Sequence, residues 1–148
     1  MSYYRQLAPA AYAVAFLLVV IPFFDAGISV APWMMGSAQW RFGALGLISN
    51  ALMIPAAGAL VAVVTAVTES HMNVQRYLGI ALWVAAALAF VFLGMFTLDA
   101  IQSRAQIRPE MLYSYKVATV TAGLKLLAGI ATCVVLAKAC DLGFRREP

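Results

Sequence analysis

The sequence predicts an all-α integral membrane protein, with four transmembrane helices in an antiparallel bundle. Composition is the first reason: of 148 residues, 64% are hydrophobic and only 11% are Asp, Glu, Lys or Arg. A soluble domain carries about 25% charged residues and about 45–50% apolar ones. The ten basic and six acidic side chains here are too few to cover a water-soluble globule of this size. Distribution is the second reason, because the apolar residues gather into four runs. Crossing roughly 30 Å of hydrocarbon takes about 20 residues of helix. Lipid offers backbone amides no partners, so each such run must be helical. About 150 residues is room for one domain, so residues 1–148 read as a single four-helix transmembrane domain with spans near 8–24, 42–67, 77–98 and 117–137.

Span one has Pro9 in its first turn, where a missing N–H costs nothing. Arg5 followed by an apolar run has the outline of a signal peptide. The run ends in Pro22, Phe23, Phe24 and Asp25, however, where small residues would mark cleavage. It is therefore expected to remain as a membrane span. Residues 26–41 then form an interfacial loop holding Trp33, Trp40, Met34 and Met35. Tryptophan favours the headgroup level, so the loop is expected to lie on the membrane surface. A lid over a ligand entrance is the functional alternative.

Span two contains Pro55, whose ring displaces the carbonyl of Ala51, so a kink is expected beside Asn50. Its Gly58 and Ala62 form a small-residue pair suited to close packing. The short polar connection after it holds His71, read as a solvated loop residue. On span three, Ala81, Ala85 and Ala89 form a stripe expected to pack against a neighbour. That helix is expected to continue in water to about Arg108, with Asp99–Ser103 and Gln102–Gln106 four residues apart along it. Pro109 then opens helix four, making 99–116 an extramembrane helical hairpin. Tyr113 and Tyr115 sit where interfacial aromatics belong. Span four is interrupted only by Lys125.

Other classes fall away. The net charge of +4 is scattered along the chain and forms no basic face for nucleic acid. A modest positive balance instead suits anionic lipid headgroups. Cys133 and Cys140 are seven residues apart on one helix, roughly 10 Å in rise, so they neither bridge nor form a CxxC pair. A lone His71 cannot supply the imidazoles of a two-histidine haem or a His-rich metal site. No GxSxG elbow, P-loop or HExxH motif is present. Glutathione-transferring four-helix enzymes match in length, but their second helix carries Glu, Arg and Asn, and this one offers only Asn50. No cofactor, metal or catalytic residue is therefore expected.

Four spans put both termini on one side, together with Arg5, Arg76, Lys138, Arg145 and Arg146. The other side holds Arg41, Arg104, Arg108 and Lys116. The positive-inside comparison places the termini in the cytoplasm, and the chain reads as a multi-pass protein of a bacterial cytoplasmic membrane.

Lys125 is the residue that points to function. It lies nine positions beyond Lys116, roughly 13 Å deeper along the helix. Ionisable residues at such depth are expensive and mark sites by default. Its helical neighbours Ala118, Thr121, Ala122, Ala128, Gly129 and Thr132 are small or weakly polar, so Lys125 is expected to face protein. Ser49 and Asn50 lie at matching depth past Arg41. The expected site is a polar layer of Lys125, Asn50 and Ser49, with Asp25 or Asp99 as counter-ion, opening towards Trp33 and Trp40. The plainer reading is that this layer only fixes helix register, or that Lys125 snorkels to headgroups.

Two functions follow as expectations. One is a non-catalytic subunit or assembly factor of a larger membrane complex, for example a respiratory or photosynthetic one. The other is a small homo-oligomeric transporter, channel or ligand-binding protein using Lys125 and Asn50.

Overall fold

The computed structural model describes residues 3–144, so Arg145 and Arg146 of the charge comparison lie outside the described residues. The chain is all-helical: α1 (Tyr3–Ser29), α2 (Ala38–Ala51), α3 (Met53–Thr68), α4 (Met72–Arg104), a 3-10 turn (Pro109–Met111) and α5 (Leu112–Phe144). By length and composition α1, α4 and α5 can each cross a membrane, and α2 with α3 makes a fourth, broken span. Large apolar side chains such as Phe16, Phe24, Met53, Phe90 and Val120 point outwards, as a helical protein immersed in lipid requires.

The break in the second span is the kink expected from Pro55. Helix α2 stops at Ala51, four residues before the proline, and α3 leaves at 44° after Leu52. Proline cannot donate to the carbonyl four residues back, and its ring crowds that carbonyl. Helical bonding resumes with Ala56 N donating to Leu52 O at 3.0 Å.

Helices α4 and α5 form the largest interface, antiparallel, with Gly79 against Cys140 at one end and Tyr115 bonded to Ala100 at the other. The face of α4 that packs carries Gly79, Leu82, Ala86, Phe96 and Ala100. The Ala81–Ala85–Ala89 stripe expected to pack is turned away, with Ala81 and Ala85 exposed. The adjacent face is buried instead, Leu82 packing with Leu136, Ala137 and Cys140 and Phe96 with Ala122 and Leu126 of α5.

The bend divides the core in two. Val63 of α3 joins Leu82, Leu136, Ala137 and Cys140, while Leu45 of α2 joins Phe96, Ala122 and Leu126. Phe42 stacks on Phe96 with ring centroids 5.0 Å apart. Helix α1 packs on α3 and touches α2, while among the described residues its backbone does not approach α4 or α5 closely. It is therefore appended to a compact unit of α2–α3, α4 and α5, so the expected four-helix bundle is open on one side.

Three boundaries differ from expectation. Helix α1 runs on to Ser29 and α2 begins at Ala38, so the loop is 30–37 and not 26–41. Trp40 is thereby helical: its N–H is capped by Ser37 Oγ at 3.3 Å and its Nε1 donates to Val30 O at 3.1 Å. Helix α4 ends at Arg104, not Arg108, because Pro109 disfavours helical backbone at Arg108, which is extended.

Candidate functional site

The structure brings Lys125 and Asn50 together. Lys125 Nζ, from α5, donates to Asn50 Oδ1, from α2, at 2.6 Å. Of the small residues around Lys125, Ala122 joins the core and Gly129 lies against Leu52, where an added Cβ would come within 3.3 Å of Leu52 Cδ1. The rest of the expected layer is not assembled. Ser49 is fully buried and its Oγ donates to Gly46 O at 2.7 Å within its own helix. One residue is about 100° of helical rotation, so Ser49 faces the core when Asn50 faces out.

Neither expected carboxylate reaches Lys125. Asp99 lies inside α4, buried, and is held by Arg41 through Nε–Oδ2 at 3.0 Å and Nη2–Oδ1 at 2.6 Å. Arg41 also donates from Nη1 to Met35 O at 2.7 Å, which ties loop 30–37 to the pair. Asp25 is exposed on α1, whose backbone does not approach α5 closely. Arg41–Asp99 is the only ion pair among the described residues. Arg41 is thus not merely a flanking charge. Its signal was available: a cation starting span two and an anion ending span three lie on the same membrane side.

Lys125 is half-buried and does not face protein on all sides. Ala118, Thr121 and Ala128 around it are exposed, and so is Asn50. A methyl group added at Gly43 or Gly46 on α2 would meet nothing within 4 Å. Between α2 and α5 runs an open groove of about 570 Å³, lined by Gly43, Gly46, Asn50, Ala118 and Thr121, from Tyr113 down towards the Lys125–Asn50 bond.

A second cleft, of about 600 Å³, lies between α1, α2 and α4. It exists because the backbones of α1 and α4 stay apart. Trp33, Trp40, Arg41 and Asp99 line its polar end, and Phe23 and Phe92 its apolar end. The tryptophans thus border a cleft, but the Lys125 layer does not open towards them.

Other polar groups are structural. His71 is half-buried, not solvated: it precedes α4, and its Nδ1 lies 2.9 Å from Tyr12 Oη of α1. Tyr115 Oη donates to Ala100 O at 2.6 Å and its ring lies 5.0 Å from Phe42, so it clamps α5 to α4 and α2. Buried Gln75 donates from Nε2 to Ala66 O at 2.9 Å, while its Oε1 and Ser103 Oγ have no protein partner. Cys133 and Cys140 are free thiols. No three His, Cys, Asp or Glu side chains converge among the described residues.

No protein-family model, curated protein or solved structure matches the chain.

Proposed function

We propose that the chain is a non-catalytic integral membrane subunit, or stabilising factor, of a larger membrane-protein complex. The α2–α5 face around Lys125 is the surface that a transmembrane helix of another chain covers. One observation carries this reading. An ammonium deep in a span is held by a single neutral acceptor, Asn50 Oδ1, on a face that this chain leaves open. A charge in hydrocarbon is tolerable only when paired and hydrogen-bonded. Within the chain Asp99 is already taken by Arg41 and Asp25 lies on a helix that does not reach α5. The missing partner is therefore supplied from outside. The small residues flanking Lys125 leave room for a helix to approach closely.

The test is mild-detergent extraction from native membranes, followed by native-size separation and mass spectrometry of what travels with the chain. A large species containing other polypeptides is expected, and Lys125→Met should release them while Lys125→Arg retains them. A lone chain, or a symmetric oligomer of a small multiple of 15.9 kDa, would overturn the reading. The symmetric outcome would favour a homo-oligomeric transporter or channel built on the same polar pair.

A further inference from the structure

The cleft between α1 and α4 has the dimensions and the chemistry of a site for one membrane phospholipid, and we propose that it holds one, with its phosphate on Arg41 and an acyl chain running inwards along α4. This is independent of the partner face, which lies between α2 and α5.

The polar end sits where α2 begins at Ala38 and α4 approaches its end at Arg104, and it carries Trp33, Trp40, Arg41, Asp99 and Gln102. Tryptophans at a span's end mark the headgroup level. From Gln102 to Phe92 the cleft follows α4 for ten residues, roughly 15 Å at 1.5 Å per residue. That is about half of a 30 Å hydrocarbon core, the depth of one leaflet. Its walls along that length are apolar, including Ala26, Ala44, Leu45, Ile48 and Met95. An occupant must therefore be polar at the interface and apolar for one leaflet. The volume of about 600 Å³ falls within the usual range of small-molecule sites.

Arg41 is suited to a phosphate. Two of its N–H groups are spent on Asp99 and one on Met35 O, which fixes the guanidinium plane. A guanidinium carries five N–H donors, so two remain on a side chain that is 27% exposed. A pre-positioned planar donor pair matches phosphate oxygens in a way that a lysine ammonium does not.

Gly27 supplies the test. It lines the cleft, and a Cβ added there meets nothing within 4 Å, so a larger side chain starts without a clash and grows into the lipid's space. Gly94 of α4 is equally open but does not line the cleft, so Gly94→Leu is the matched control. Native mass spectrometry after mild-detergent purification should find one glycerophospholipid per wild-type chain. Gly94→Leu should keep it, Gly27→Leu should lose it, and Arg41→Lys should retain it less well. A second measurement uses an otherwise wild-type chain with Trp83→Phe, leaving Trp33 and Trp40 as fluorophores. Phosphatidylglycerol brominated on its acyl chain, added at one equivalent to delipidated protein in detergent, should quench their emission. The unbrominated lipid should not. Absence of retained phospholipid together with no quenching would overturn the proposal. So would equal retention by Gly27→Leu and wild type, or equal loss in both leucine variants.

Discussion

Replacing Gly58 with alanine should loosen α1 from the rest of the molecule, and the contact itself sets the size of the effect. A Cβ at position 58 would lie 2.8 Å from Ala15 O, 2.9 Å from Leu18 Cβ and 3.1 Å from Val19 Cγ2. Carbon–oxygen contacts settle at about 3.3–3.6 Å, so α1 and α3 must part by about 0.5 Å. The first atom is backbone and the second is fixed to it, so no rotamer change relieves the clash. Overpacking of this kind costs about 1–3 kcal/mol. Alanine regains about 1 kcal/mol over glycine in a helix interior. Gly94→Ala serves as reference, because its Cβ meets nothing and only the propensity gain applies. Unfolding of both variants in mixed detergent and SDS micelles should therefore place Gly58→Ala below Gly94→Ala by about 1–3 kcal/mol. Gly58→Leu should fall further still. Equal stability of the two alanine variants would refute the close approach of α1 and α3.

Arg41→Met leaves the buried Asp99 carboxylate without either of its guanidinium bonds. Its unfolding midpoint should drop well below that of Arg41→Met/Asp99→Asn, where no charge is stranded, in a double-mutant cycle. Tyr12→Phe removes the bond to His71 Nδ1 and should cost about 1 kcal/mol in the same unfolding assay. Pro55→Ala restores a backbone donor to Ala51 O, so spin-label distances across α2 and α3 should report a bend smaller than 44°. An unchanged distance would assign the bend to packing against the α4–α5 pair.

The sequence announces the features that follow from lipid as a solvent. Four apolar runs, the break near Asn50 at Pro55 and the matching depth of Lys125 and Asn50 follow from span length, proline chemistry and helical rise, none of which needs tertiary information. Features that depend on which faces meet were not legible. Ser49 and Asn50 have the same polarity and depth, and only the rotation of α2 separates them into an inward and an outward residue. The Ala81 stripe fits a packing face as well as Gly79, Leu82 and Ala86 do, because in a helix that is apolar all round the pattern carries no moment. Asp99 was assigned to Lys125 because both are ionisable, when the nearer opposite charge at its own level was Arg41. Aromatics and small residues around Trp40 give it the character of a loop, and the one local signal of helix there is Ser37, the N-cap of α2.

The three side-chain-to-side-chain pairings among the described residues lie at different depths, and they are not equally complete. His71 and Tyr12 join α1 to the connection before α4, where one neutral hydrogen bond suffices. Arg41 and Asp99 lie near the ends of their helices, and there the chain supplies a full counter-charge, two hydrogen bonds and a carbonyl from loop 30–37. Lys125 is deepest, where an unpaired charge is most costly, yet it receives one neutral acceptor and an open face. This contrast is what the proposed partner face rests on: Arg41 is compensated by a carboxylate within the chain, and Lys125 by one neutral oxygen. The same asymmetry orders the two clefts: the α1–α4 cleft ends on a satisfied ion pair and suits a neutral apolar chain with an interfacial head. The α2–α5 groove leads to an unsatisfied ammonium and suits a helix that brings its own polar group.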